Sequence, residues 1–156
     1  MLHIKHIIEE GKELEIIRDL FREYEKELDE DICFQSFDEE LKHPLKKYGP
    51  PSGDLVLAYW EGEIAGCIAL TRLKEPGVCE MKRLYVKPSF RKNKIGRLLV
   101  KELLSSAKEK NYEKMRLDTF SKLQAAVHLY MQFGFENISA YYNNPLPDVV
   151  YMEKLL

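Results

Sequence analysis

Lys87, Arg91, Lys92, Lys94, Arg97 and Lys101 fall within VKPSFRKNKIGRLLVKELL, residues 86–104, and no acid interrupts them before Glu102. The whole chain carries a net charge of -2, so this positive charge is a local accumulation. Inside the stretch the apolar period changes. Residues 78–86 read as a strand, whereas Ile95, Leu98, Leu99, Leu103 and Ala107 share one helical face. A strand, a tight basic turn and a helix start together make an anion site. The first N–H groups of a helix have no partner within it, and the helix dipole favours negative charge at that end. Arg91, Lys92 and Lys94 beside those groups suit a diphosphate. The stretch lacks the GKS/T of a P-loop and the GxGxxG of a dinucleotide-binding turn. A solubilising helix end is the plainer alternative.

A second charged segment has the opposite sign. Residues 23–41, EYEKELDEDICFQSFDEEL, hold nine acids against the single cation Lys26. Near the other end, ISAYYNNPLPDVVY is rich in tyrosine. An acidic and aromatic cleft suits a cationic amine, through steering and cation–π contact with Tyr141 or Tyr142. The alternative is that the acids are the solvated face of a helix.

Composition narrows the classes. At 156 residues, 45% apolar and 32% charged, the chain has the make-up of one soluble globular domain spanning 1–156. No apolar run approaches the roughly 20 residues of a membrane span. The start, MLHIKHIIEE, lacks the apolar core and cleavage site of a signal peptide. Cys33, Cys67 and Cys79 form no CxxC pair, which predicts reduced thiols in a cytoplasm. His3, His6, His43 and His128 show no ligand spacing, so no metal is expected. The slightly acidic balance disfavours nucleic acid as a partner.

The elements that must position these residues follow from periodicity. Strands are predicted at 2–8, 54–60, 63–73, 78–86, 114–120, 135–142 and 149–155, with a hairpin at Glu61-Gly62. Helices are predicted at 12–29, around 37–47, from Lys94 to Asn111, and from Ser121 to a C-terminal stop at Gly134. Ser36 with Glu39, and Ser121 with Gln124, read as capping boxes. The strand–helix–strand unit over 78–120 requires one parallel strand pair, and the flanking hairpins are antiparallel. The expected class is therefore α/β, more fully an α+β mixed sheet with helices on both faces.

These residues resemble a known family. LYVKPSFRKNKIGRLLV is similar to the core motif of the GCN5-related N-acetyltransferases, in which Arg or Gln, two residues, Gly, one residue and Gly or Ala fall here on Arg91, Lys94 and Gly96. AAVHLYMQFGF, residues 125–135, resembles the second motif of that family. The resemblance covers the whole chain in element order. Two positions depart from it: Lys94 stands where the family has its first glycine, and Leu123 where it often has Asn.

The resemblance implies acetyl-CoA as cosubstrate, an acyl-CoA N-acyltransferase fold with one splayed parallel strand pair in a mostly antiparallel sheet, and attack by a primary amine in a ternary complex. It assigns cofactor binding to Leu84, Tyr85 and Val86 and to the turn and helix start Arg91, Lys92, Asn93, Lys94, Ile95, Gly96 and Arg97. It places Tyr130 as the proton donor to the leaving thiolate, the alternative being a core tyrosine among Val127, Met131 and Phe133. It makes Glu80 a candidate general base, the alternative being an ion pair with Lys82 on the same strand face. A small molecule or peptide amine is the expected acceptor, without nucleic acid or membrane, and a homodimer is left open. A CoA-binding sensor module without turnover is the competing reading.

Overall fold

The computed structural model describes residues 1–32 and 36–156. Cys33 lies outside them. One seven-stranded sheet organises the chain: β1 (Leu2–His6), β2 (Asp54–Trp60), β3 (Glu63–Arg72), β4 (Val78–Val86), β5 (Lys114–Phe120), β6 (Glu136–Ile138) and β7 (Val149–Leu155). The spatial order is β1-β2-β3-β4-β5-β7-β6. All neighbours are antiparallel except β4 and β5, which are parallel and joined by a helical crossover. The β2–β3 hairpin turns on Glu61 and Gly62 with φ of 50° and 81°. Both are left-handed, as a two-residue turn that matches strand twist requires.

Helices cover both faces. On one lie α1 (Lys12–Leu28), α2 (Phe37–Lys42) and α3 (Pro44–Tyr48); on the other lie α4 (Ile95–Glu109) and α5 (Gln124–Gln132). In α1, Leu14, Ile17, Leu20, Phe21 and Leu28 recur at helical spacing and are buried against Leu55, Leu57, Cys67 and Ala69 of the sheet. In α4, Ile95, Leu99, Val100, Leu103 and Ala107 pack on Val56, Ile68, Met81, Met115 and Leu117.

Four expectations need correction. The helix around 37–47 is two short helices meeting at His43 and Pro44. Proline has no N–H to donate and disfavours helical geometry in the residue before it. Neither capping box forms. Ser36 is left-handed, with φ of 60° and no capping bond. Helix α5 starts only at Gln124, after Ser121 has given its N–H to the Asp148 carbonyl. The predicted 135–142 strand keeps only Glu136–Ile138, because Tyr141 and Tyr142 turn their hydroxyls to buried carboxylates instead.

Two irregularities shape the centre of the sheet. The β4–β5 ladder pairs Val78 with Lys114, Cys79 with Met115 and Glu80 with Arg116, and then stops. Beyond it, β4 stays bonded to β3 and β5 to β7, so the parallel pair opens as a wedge. Within β4, Cys67 pairs Tyr85 but Ala69 pairs Lys82, leaving Arg83 and Leu84 opposite Ile68. This is a β-bulge, with Arg83 at φ of 60°. Such a backbone persists only when its surroundings fix it. Here Arg83 bonds Glu40 at 2.7 and 3.0 Å and lies against the Tyr24 and Phe37 rings. Gly66 serves the same site, since a Cβ there would sit 2.3 Å from the Tyr85 carbonyl oxygen.

Candidate active site

The sheet opens between β4 and β5 into a cleft of about 720 Å³. Its walls are the β4 end (Leu84, Tyr85, Val86), the basic turn, the α4 start and the exposed side of α5. Of the residues assigned to cofactor binding, Leu84, Tyr85, Val86, Arg91, Lys92, Lys94, Ile95, Gly96 and Arg97 all line it. Asn93 does not. Its side-chain amide donates to the Phe90 carbonyl at 3.0 Å, which shapes the turn from within.

The turn arrives at the helix through left-handed residues, Lys92 at φ of 75° and Lys94 at φ of 60°. Lys94 is the N-cap of α4, and among the described residues no side chain makes a capping bond there. The N–H groups of Ile95, Gly96 and Arg97 therefore keep their donors for a ligand. The φ of Lys94 also explains the departure from the motif: this backbone favours glycine, and here a lysine adopts it. At Gly96 a Cβ would meet Leu129 and Val86 at ordinary contact distances of 3.7 and 3.8 Å, so alanine fits there too.

Two cations of the turn, Lys87 and Arg91, are already engaged. Arg91 places Nη2 2.6 and 2.7 Å from the two oxygens of Glu27 and donates from Nε to the Val86 carbonyl. Lys87 pairs with Glu23 at 3.5 Å, and Tyr85 donates to Glu23 at 3.2 Å. Burial first, and then the Glu23 charge, pushes the Tyr85 phenol up to about 12. From the opposite lip Lys122 reaches the Leu28 carbonyl at 2.8 Å and Glu30 at 3.0 Å. Part of the acidic α1 segment is thus the counter-charge of the cleft. Glu27 and Lys122 were not singled out from the sequence. Their only signal was the matching excess of acids and cations in two distant segments.

A smaller cavity of about 50 Å³ continues the cleft into the wedge. Tyr24, Leu28, Leu84, Leu123 and Ala126 line both. Tyr130 lines the inner cavity and not the outer cleft. It is buried, edge-on to Phe135 with ring centroids 5.9 Å apart, and so fills a core position while bordering the cavity. Burial, with Tyr24 and the Asp118 charge nearby, holds its phenol well above the usual value. It keeps its proton at neutral pH.

Glu80 is buried at the last residue where β4 and β5 still pair, and it does not line the cavity. One oxygen accepts the Tyr141 hydroxyl at 2.5 Å, and the other faces Lys82 at 3.5 Å. The ion pair with Lys82 that the sequence allowed is therefore formed. Lys82 also faces Asp118 of β5 at 3.7 Å, and Asp118 accepts the Tyr142 hydroxyl at 2.5 Å. Lys82 and Asp118 both line the cavity. The sequence reading missed Asp118, although an acid inside the apolar strand KMRLDTF was the signal it used for Glu80.

One histidine, although the four show no pattern along the chain, also finds partners. His6 Nδ1 lies 2.8 Å from Asp54, and its Nε2 lies 2.8 Å from Glu102. Ser106 donates to the same Asp54 at 2.5 Å. This cluster ties β1, β2 and α4 together on the far side of the sheet from the acidic helix.

Comparison with known proteins agrees with this geometry. The acetyltransferase (GNAT) family profile matches residues 14–135. An uncharacterized N-acetyltransferase of Schizosaccharomyces pombe is 46% identical over 90% of this chain and 87% of its own length. An uncharacterized N-acetyltransferase of Dictyostelium discoideum is 30% identical, over 96% and 97%. Among solved structures, a Bacillus subtilis acetyltransferase in complex with CoA superposes with a TM-score of 0.71, at 22% identity over 100% and 99% of the two chains. A GNAT-family acetyltransferase of Staphylococcus aureus gives 0.79 at 22% identity, over 98% and 99%. The structural likenesses carry the fold, and the extent of the profile and the sequence identities carry the ancestry: this chain is a member of the GNAT acetyltransferase family.

Proposed function

We propose that the chain transfers an acetyl group from acetyl-CoA to a primary amine of a small molecule or peptide, by direct attack in a ternary complex. The observation that carries this reading is the continuity of the cleft with the wedge. The basic turn from Arg91 to Arg97 borders the outer cleft, Tyr130 of α5 borders the inner cavity, and Tyr24, Leu28, Leu84, Leu123 and Ala126 line both. A diphosphate at the α4 start would direct an extended thioester arm along Leu84, Tyr85 and Val86 toward Tyr130.

The residues present fit this substrate. The uncapped N–H groups of α4 and the cations around them suit a diphosphate. Beyond Glu80 the β4 strand no longer pairs with β5, so the β4 edge at Leu84 to Val86 is where the acyl group and arm would run. Main-chain N–H groups fixed in such a place stabilise a carbonyl oxygen as it becomes negative. Attack by the neutral amine on the thioester carbon gives a tetrahedral species. Its collapse breaks the C–S bond, and the sulfur takes the Tyr130 proton. A tyrosine held protonated by burial suits that step.

The test is a panel of amines incubated with acetyl-CoA and read by thiol release. Amine-dependent release with a matching acetylated product supports the proposal. CoA binding without release from any amine would leave the binding-module reading in its place.

A further inference from the structure

We infer that Asp118, rather than Glu80, is the carboxylate that receives the proton of the acceptor nitrogen, with Tyr142 as its positioning residue. This rests on the acetyltransferase reading above. The two acids look equivalent in sequence, since each is a lone carboxylate in a central strand. They differ in where they sit on the wedge. Glu80 is the last β4 residue paired to β5, so it lies where the seam is still closed. Asp118 lies two residues beyond Arg116, where the strands have parted, and shares the inner cavity with Tyr130. A base must reach the nitrogen it deprotonates, so geometry precedes pKa in choosing between them.

The surroundings of Asp118 hold its carboxylate in one orientation. Oδ2 accepts the Tyr142 hydroxyl at 2.5 Å and the Asn144 amide at 3.4 Å. Asn144 also donates to the Tyr142 hydroxyl at 3.0 Å, which orients that hydroxyl toward the acid. Oδ1 faces the Lys82 ammonium at 3.7 Å, beyond hydrogen-bond length. From β7, Tyr151 is the cross-strand neighbour of Asp118, and its hydroxyl goes to the Tyr142 carbonyl. From α1, Tyr24 borders the same cavity. Each Tyr hydroxyl of the β6–β7 connection thus serves one acid: Tyr141 serves Glu80 and Tyr142 serves Asp118.

The step balances as follows. The amine lone pair bonds to the acyl carbon, and the nitrogen, now cationic, loses a proton to Asp118. The C–S bond breaks, and the sulfur takes the Tyr130 proton. After the amide and CoA leave, the proton on Asp118 returns to Tyr130 by way of solvent.

The paired tyrosines give the test. Removing the Tyr142 hydroxyl withdraws the donor that holds Asp118 in place beside the cavity. Tyr142→Phe should therefore lower kcat by roughly tenfold or more, with KM for the amine and CoA affinity little changed. Tyr141→Phe withdraws a donor from Glu80 instead, and should lower kcat clearly less than Tyr142→Phe does. Asp118→Asn should lower kcat by roughly 10²-fold or more with CoA binding retained. If Asp118→Asn does not fold, the two phenylalanine variants decide alone. A loss of kcat in Tyr141→Phe as large as in Tyr142→Phe, or no loss in either, overturns the assignment while the acetyltransferase reading stands. A wild-type protein that releases thiol with no amine overturns both.

Discussion

Lys82 and Asp118 face each other across the opening between β4 and β5, Nζ to Oδ1 at 3.7 Å. They lie beyond the last hydrogen-bonded pair of those strands, Glu80 and Arg116. At the floor of the wedge an ion pair thus stands where a ladder bond would otherwise be. A main-chain bond would hold the strands at about 4.8 Å. Two side chains span a wider gap and leave room between the backbones. Both side chains are less than a tenth exposed, Glu80 also faces Lys82, and Tyr142 donates to Asp118. Breaking a buried pair from one side costs far more than the pair contributes, because a charge is left behind. The charges therefore fix the shape of the site whether or not they stabilise the fold.

Tyr130→Phe keeps the ring and its edge contact with Phe135, so thermal stability should change little. It removes only the proton donor. The loss should appear in kcat, at roughly 10²–10⁴-fold, with CoA affinity unchanged. A thioester with a more acidic leaving thiol should lose less. Stopped-flow or steady-state kinetics with the two thioesters measures both effects. Wild-type turnover in a folded Phe variant would return Tyr130 to the core alone.

Glu27 holds both of its oxygens on Arg91 at the mouth of the cleft. A bound diphosphate must share or displace that contact. Glu27→Gln keeps the shape and withdraws the competing charge, so it should tighten CoA binding several-fold at low salt. Arg91→Ala should weaken CoA and leave the affinity of a phosphate-free pantetheine thioester unchanged. Titration calorimetry with the two ligands separates these outcomes. Equal effects on both ligands would place the diphosphate elsewhere.

Lys94→Gly restores the family's glycine. Lys94 already adopts the left-handed backbone, so glycine brings no new geometry. Relief of about 1 kcal/mol of strain is offset by the added freedom of the unfolded chain, about 0.4–1 kcal/mol, so the melting temperature should move little. The variant loses a cation from the cleft wall. CoA should bind more weakly at low ionic strength, and the difference should vanish near 1 M salt, where the Debye length is about 3 Å. Tighter binding would show instead that the side chain obstructs.

Stability should depend on pH through His6. Burial disfavours the charged ring, but hydrogen bonds to Asp54 and Glu102 outweigh it, so the folded pKa is raised above the ordinary 6.5. A raised pKa means that folding favours the protonated form. The contribution is fully present below about pH 6.5, the unfolded value, and is lost as pH rises through the folded value. His6→Gln should lower the melting temperature near pH 6 and have a smaller effect near pH 9. An effect independent of pH would show that packing, not charge, carries the contribution of His6.

The sequence by itself determined the order of strands and helices, the parallel pair and the basic turn at the start of α4. Each of these rests on near neighbours in the chain. Period two or 3.6 marks an element, and the start of α4 brings its own N–H groups wherever it is placed. Nine of the ten residues assigned to cofactor binding line one cleft, because 84–86 and 91–97 flank a single short turn. Local patterns failed where a competing contact was stronger. Pro44 split one helix, and Tyr141 and Tyr142 left a strand to reach buried acids. Only the tertiary structure decided the pairing of charges. Arg83 meets Glu40 across 43 positions, and Arg91 meets Glu27 across 64. The two inner acids were indistinguishable in sequence. They separate because the β4–β5 ladder stops between them, and where a ladder stops depends on what both strands pack against, not on the residues of either.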